Sequence, residues 1–220
     1  MKKILIVFLL LFLSACSKTT EVVEVEQEFR NIELNLYSGE LTVEEGEEVS
    51  LTRQNGSTVE YTISDDTLYI NKISRGDLIL TIPEDYTFDT ITINSYGGDL
   101  TYKPLPVTAT LNLNILNGNI VLSKAKSEQT NIYLDEGYIF ISGNLGENVK
   151  VDCKDGYIKL KPSTTKETYN YSLDLTEDAY LNLGGYKYDN VDVTEQVFNR
   201  VQNRMTINME SGNVIVKFKS

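Results

Sequence analysis

The sequence contains no histidine and no tryptophan. Histidine is the side chain that most often serves as general base and as metal ligand near neutral pH. Its absence removes Ser-His-Asp and Cys-His catalysis and most zinc sites together. Cysteine is scarce as well, with Cys16 and Cys153 the only two. Cys16 is claimed by the N-terminal chemistry described below, so no intramolecular disulfide is expected. The one long apolar run, residues 4–13, is ten residues, about half of what a membrane-spanning helix needs.

What is present points to β-structure. Fourteen glycines against four prolines, with many Thr, Ile, Val and Tyr, favour strands and turns over helices. A 41% hydrophobic content over 220 residues suffices for one domain with a sizeable core. Charge is lopsided, with 20 basic residues against 32 acidic. Such a surface repels nucleic acid and anionic lipid headgroups, and suits water, a cationic partner or a cation-bridged one.

Residues 1–16 read MKKILIVFLLLFLSAC: two lysines, the apolar run, small residues and a cysteine. This is the layout of a secretory signal over 1–15, and Leu13-Ser14-Ala15-Cys16 resembles the bacterial lipobox. The resemblance implies cleavage before Cys16 and a diacylglyceryl group, with palmitate-like chains, on its thiol. Two acyl chains anchor a protein stably where one does not, at about 0.8 kcal/mol per buried CH₂. The mature protein is then expected at the cell membrane, facing the extracytoplasmic side. Loss of Lys2 and Lys3 leaves 18 basic residues against 32 acidic, a net charge of −14. Residues 16–28 read as the lipidated cysteine and a flexible acidic tether, with Val22, Val23 and Val25 offering a first strand as the other possibility.

Residues 91–160 write one phrase four times, aligned on Gly98, Gly118, Gly137 and Gly156 at spacings of 20, 19 and 19. Each copy is an alternating strand, a tight polar turn and a second alternating strand. Alternation turns inward Ile91, Ile93 and Leu100 in the first copy, and Leu111, Leu113, Ile115, Ile120 and Leu122 in the second. Ile132, Leu134, Ile139 and Ile141 follow in the third, then Val149, Val151, Cys153, Ile158 and Leu160 in the fourth. Cys153 is therefore expected to be buried and inert. Further copies surround Ser38-Gly39, Ala179 (a weaker match) and Gly212. Asn55-Gly56 and Asp65-Asp66 carry hairpin signals, and the strand 78–82 ends at Pro83. Residues 184–204 break the pattern. Within them 194–202, with Val197, Phe198 and Val201 on one side, predicts a helical turn.

One copy buries too little apolar surface to fold alone, so the copies must share their faces with neighbours. The expected fold is all-β: a single β-solenoid of ~20-residue rungs over 29–220, stacked at about 4.8 Å. The alternative is an antiparallel β-sandwich of successive hairpins. Repeated small-Gly-polar-aliphatic turns, the strand Leu80-Thr81-Ile82-Pro83 and the final Ser211-Gly212-Asn213-Val214-Ile215-Val216 resemble the bacterial "putative adhesin" domain family. The resemblance covers 29–219, departing from the family pattern at Ala179 and in 184–204. It implies a glycine-punctuated β-solenoid on an exported or membrane-tethered protein, and it brings no catalytic residues.

The position after each corner carries Tyr138, Tyr157 and, after Ala179, Tyr180. In-register stacking would align these three as an outward aromatic ladder, either stabilising in itself or a platform for sugar rings or a partner protein. Asp135, Glu136, Asp152 and Asp155 crowd the turns, but no calcium-loop motif accompanies them, and they read as solvated turn acids. Asp152 with Asp135 is the carboxylate pair a polysaccharide-active enzyme would use. The reading favoured over it is a non-enzymatic surface lipoprotein needing no cofactor, whose domain contacts an envelope polymer, an envelope protein or a host surface. A structural or sensory envelope component without external ligand is the remaining alternative.

Overall fold

The structure is a computed structural model describing residues 21–24, 28–54, 59–72, 76–83, 85–102, 107–189, 191–197 and 199–219. The signal segment, Cys16, Val25, Asn55-Gly56 and Phe198 lie outside the described residues.

Each copy forms two strands meeting at a corner, and the two strands of a copy do not pair with each other. They pair in parallel with the equivalent strands of neighbouring copies. The strands before the corners form a leading sheet and those after them a trailing sheet. For the Gly98 rung these are Thr87–Tyr96 and Asp99–Tyr102, and for the Gly156 rung Asn148–Cys153 and Tyr157–Pro162. The strand Asn119–Leu134 belongs to both sheets: its first part trails the Gly118 corner and its second part leads the Gly137 corner. It crosses between them at a register shift from Leu122 to Ala125, where Lys124 has φ +56°. The arrangement is a β-solenoid, because a sandwich of hairpins would require antiparallel pairing inside each copy.

Two features of the stack depart from the sequence expectation. An additional rung, Thr67–Lys72 with Asp77–Pro83, turns at Gly76. The rungs also do not stack in chain order. The Gly39 rung, Asn31–Leu36 and Glu40–Gly46, lies between the Gly76 and Gly98 rungs. The Gly212 rung, Arg204–Met209 and Gly212–Val216, lies between the Gly156 rung and the Ala179 rung. The Ala179 rung is Asn170–Leu175 with Ala179–Leu183. The first and last copies in the chain are thus each covered on both sides.

Antiparallel strands close the outermost rungs, so the parallel ladders do not end on open edges. At the Gly76 end Val59–Ser64 pairs with the leading strand through a two-residue turn at Asp65 and Asp66, both with positive φ. Ser50–Gln54 pairs with the trailing strand there and in turn receives Glu21–Glu24. Glu21–Glu24 is therefore a strand, which removes that part of the expected tether. Among the described residues Ser50–Gln54 and Val59–Ser64 pair with different sheets and not with each other. At the Ala179 end Tyr186–Asp189 and Val193–Val197 pair antiparallel with the two strands of that rung. The helical turn predicted over 194–202 is corrected by this: Val193–Val197 is an edge strand. A short apolar run has too few residues to separate a helical period from a strand period.

The core is the slab between the two sheets. Every inward position read from the alternation is at most 2% exposed, from Ile91 and Ile93 to Ile158 and Leu160. Each rung contributes three to five aliphatic side chains, each adding about 1.5–3 kcal/mol on burial. The corners are held by a column of glycines. A Cβ on Gly118 would sit 2.3 Å from the Gly98 carbonyl oxygen, and one on Gly137 would sit 2.3 Å from that of Gly118. Both have positive φ, +128° and +116°, which glycine alone adopts without strain. Their carbonyls accept from the next rung, Tyr138 N–H donating to Gly118 at 3.0 Å and Tyr157 N–H to Gly137 at 3.0 Å.

Candidate interaction face

Outward side chains of the trailing sheet form columns that run from rung to rung. The column after the corner reads Glu40, Asp99, Asn119, Tyr138, Tyr157, Asn213 and Tyr180 along the stack. Tyr138 and Tyr157 stack with ring centroids 5.5 Å apart and planes 20° apart. Tyr180 does not join them, because Asn213 is the register partner of both Tyr157 and Tyr180. The three-ring ladder assumed chain-order stacking, and the inserted Gly212 rung separates its third member. The adjacent column carries Thr101, Val121, Phe140, Lys159, Ile215 and Asn182, all partly exposed. Lys161 reaches back over the Phe140 ring, its Nζ 5.4 Å from the centroid.

A second ring pair escaped the sequence reading. Tyr37 and Tyr96 stack at 4.9 Å with planes 9° apart, and remain 48% and 47% exposed. Each stands two residues before its corner glycine, Gly39 or Gly98, and that shared offset was the available signal. Leu116, at the same offset on the next rung, is 45% exposed.

The outer face of the leading sheet is built on amides. Asn35 Nδ2 donates to Asn71 Oδ1 at 3.0 Å, Asn94 Nδ2 to Asn35 Oδ1 at 2.8 Å, and Asn114 Nδ2 to Asn94 Oδ1 at 2.8 Å. Identical amides in register bond across parallel rungs, so this ladder stabilises the stack.

Two of the four turn carboxylates have side-chain partners. Asp152 accepts from Asn208 Nδ2 at 2.6 Å and meets Lys150 at 2.6 Å, while Asp135 faces Lys154 at 3.8 Å. Glu136 and Asp155 occupy the corners of their rungs, where their N–H groups bond to the Leu116 and Asp135 carbonyls. Among the described residues no three of Cys, Asp and Glu converge to hold a metal ion. A cleft of ≈ 350 Å³ at the Ala179 end is lined by Tyr171, Leu183, Tyr186, Tyr188, Glu195 and Val197.

Cys153 is 2% exposed. Burial pushes its thiol up to about 11, with the Asp155 charge adding to the rise and a Gly156 backbone hydrogen bond opposing it. Burial likewise raises the hydroxyls of Tyr102, Tyr169 and Tyr171. All four groups hold their protons to higher pH in the folded chain than in the unfolded one. The contribution of Cys153 to stability is full below about pH 9 and is lost as pH rises through about 11, while those of the tyrosines are full below about pH 10 and are lost at higher pH. We therefore expect Cys153 to resist iodoacetamide at pH 8 in the native protein. Absorbance at 295 nm should show several tyrosines ionising only as the fold opens. Alkylation at the rate of a free thiol would contradict the burial.

The family model for Toastrack DUF4097 matches residues 14–220. The chain belongs to the Toastrack DUF4097 family. Its fold is shared with a "putative cell adhesion protein" from Clostridium sporogenes, at TM-score 0.50 and 16% identity over 92% of this chain and 100% of that one. A "putative adhesin" from Bacteroides fragilis aligns at TM-score 0.42 and 12% identity, covering 92% of this chain and 97% of that one. Another, from Parabacteroides distasonis, aligns at TM-score 0.42 and 13% identity, covering 90% and 96%. No curated protein matches the chain. The family resemblance carried by the repeated turns and the Ile-Pro strand end therefore holds. Among the described residues of this Toastrack domain eight corners stack in the order Gly76, Gly39, Gly98, Gly118, Gly137, Gly156, Gly212 and Ala179. Among the described residues no helix is long and apolar enough to cross a membrane.

Proposed function

We propose that this protein is a lipid-anchored surface protein whose Toastrack domain is a non-catalytic interaction module. The observation that carries the reading is the outer face of the trailing sheet, where the Tyr138–Tyr157 stack and Phe140 stand on a rigid array of rungs. Flat aromatic anchors on a preorganised scaffold suit contact with a partner better than chemistry on a small substrate. Support for the anchor comes from Leu13-Ser14-Ala15-Cys16 after the apolar run. Support for contact as the role comes from the adhesion-type names of the fold's solved neighbours. The partner is an envelope polymer, an envelope protein or a host surface.

Two measurements test the two halves. Cys16→Ala is expected to move the protein from the membrane fraction to the soluble fraction; equal membrane association would overturn the anchor. Replacing Tyr138 and Tyr157 with Ser is expected to abolish adhesion of cells to their surface while the melting temperature shifts by only a few degrees. One stacked pair contributes about 0.5–1.5 kcal/mol, and each kcal/mol moves Tm by about 2–4 °C in a domain this size. Full adhesion by the double variant would assign the rings to stability alone.

A further inference from the structure

The trailing sheet from the Gly118 rung to the Ala179 rung breaks the charge pattern of the rest of the chain. Among 32 acidic residues in the sequence, none lies in 119–123, Tyr138–Asn144, Tyr157–Pro162, Ala179–Leu183 or 212–219. These neighbouring segments carry Lys159, Lys161, Lys217 and Lys219 instead. Among the described residues none of the four lysines has a carboxylate within ion-pair distance. Lys161 and Lys217 each follow the register pair Leu160–Val216, and Lys217 N–H donates to the Leu160 carbonyl at 2.9 Å, which brings two like charges onto neighbouring segments. Among the described residues no carboxylate offsets that placement, although Lys161 Nζ rests 5.4 Å from the Phe140 ring centroid. Acidic side chains gather at the corner edge of the face instead, as Glu136, Asp155, Glu177 and Asp178.

The uncompensated cations are interleaved with aromatic surface. Lys159 lies in the column between Phe140 and Ile215, one step from the Tyr138–Tyr157 stack. Beyond Lys217 the face continues into a depression of ≈ 610 Å³ lined by Lys166, Asn182, Gly184, Phe218 and Lys219, with Glu167 as its one carboxylate.

We propose that this strip binds an acidic polysaccharide, a linear chain of pyranose rings bearing carboxylates. The rings lie on Tyr138 and Tyr157, and the carboxylates meet Lys159, Lys217 and Lys161, which stands over the Phe140 ring. Size decides between polyanions. Five rungs at about 4.8 Å give a strip roughly 19 Å long up the stack, and beyond its corner edge the chain is acidic. A single glycan chain fits within the strip, whereas a duplex or a bilayer surface meets the acidic rim. The local preference is thus opposite to the cationic partner that overall charge suggests. This inference rests on the domain being an interaction module and adds the chemistry of its ligand.

The test uses the full-length protein in detergent, with polygalacturonate as probe. Dextran supplies sugar without charge, and polyglutamate supplies charge without sugar. Polygalacturonate alone is expected to bind, and binding should weaken as salt rises. The double variant Lys159→Gln, Lys161→Gln is expected to bind about tenfold more weakly, as loss of roughly 1.4 kcal/mol of ionic contact would give, with unchanged melting. Equal binding of polyglutamate would overturn the sugar assignment, and an unaffected lysine variant would overturn the site. If polygalacturonate fails to bind while adhesion still depends on Tyr138 and Tyr157, the ligand class falls and the interaction reading stands. If that dependence is also absent, both fall.

Discussion

Truncation after Asn203 is expected to abolish the folded domain, not shorten it. In a solenoid stacked in chain order, removing the last repeat exposes one new end and leaves the remaining ladder intact. Here the last copy in the chain is an interior rung. Arg204–Met209 is hydrogen-bonded to Asn148–Cys153 on one side and Asn170–Leu175 on the other, and Gly212–Val216 is likewise held between two trailing strands. Met205, Ile207, Met209, Val214 and Val216 are all at most 3% exposed. At about 2 kcal/mol each their loss removes roughly 10 kcal/mol, comparable to the whole net stability of a domain at about 5–15 kcal/mol. The Ala179 rung and its two antiparallel strands lose their only parallel neighbour among the described residues. Circular dichroism of the truncated chain should show no cooperative thermal transition. A truncated protein melting within a few degrees of the intact one would place the last copy at the end of the stack.

Gly137→Ala is expected to lower Tm by about 10 °C, and Gly185→Ala by far less. Both glycines have positive φ, +116° and +99°, so both substitutions carry backbone strain of about 1–2 kcal/mol. Only their surroundings differ. A Cβ on Gly137 would stand 2.3 Å from the Gly118 carbonyl oxygen, while one on Gly185 meets nothing within 4 Å. The obstructing atom at Gly137 is backbone, held in the corner column by the bond from Tyr138 N–H to Gly118. To admit a methyl group the two rungs must separate and lose that bond, for a total near 3–4 kcal/mol. At about 2–4 °C per kcal/mol the corner variant falls by about 10 °C. Equal losses at the two sites would mean that strain alone, and not close rung stacking, explains the glycines.

Local structure was legible in the sequence wherever a period of two and a glycine sufficed. The inward column from Ile91 to Leu160 is buried throughout, and Cys153 lies within it. The order of the rungs was not legible, because the copies present nearly equivalent apolar faces and any two of them can pair. What decides the order is where the chain crosses at each end. The stretches that separate those rungs in the chain, 47–66 and 184–203, carry the weakest repeat signal. The Tyr180 placement failed for this reason: the ladder position was right and the neighbour was wrong. Gly76 was passed over because the copy around it, ending in Leu80-Thr81-Ile82-Pro83, is broken up by less regular sequence between Gly56 and Gly76. The acid-free strip was missed because it is spread over five segments that only the fold brings together.

The most direct test of out-of-order stacking is cysteine cross-linking on the trailing sheet, in a chain carrying Cys16→Ser. Tyr157 and Asn213 are register partners, about 4.8 Å apart in a parallel ladder and close enough for a disulfide. Tyr157 and Tyr180 are two rungs apart, about 10 Å, beyond the roughly 7 Å limit between Cα atoms. Mild oxidation followed by mass spectrometry should give an intramolecular disulfide in the Tyr157→Cys, Asn213→Cys protein and none in the Tyr157→Cys, Tyr180→Cys protein. The reverse pattern would contradict the inserted rung and the stack built around it.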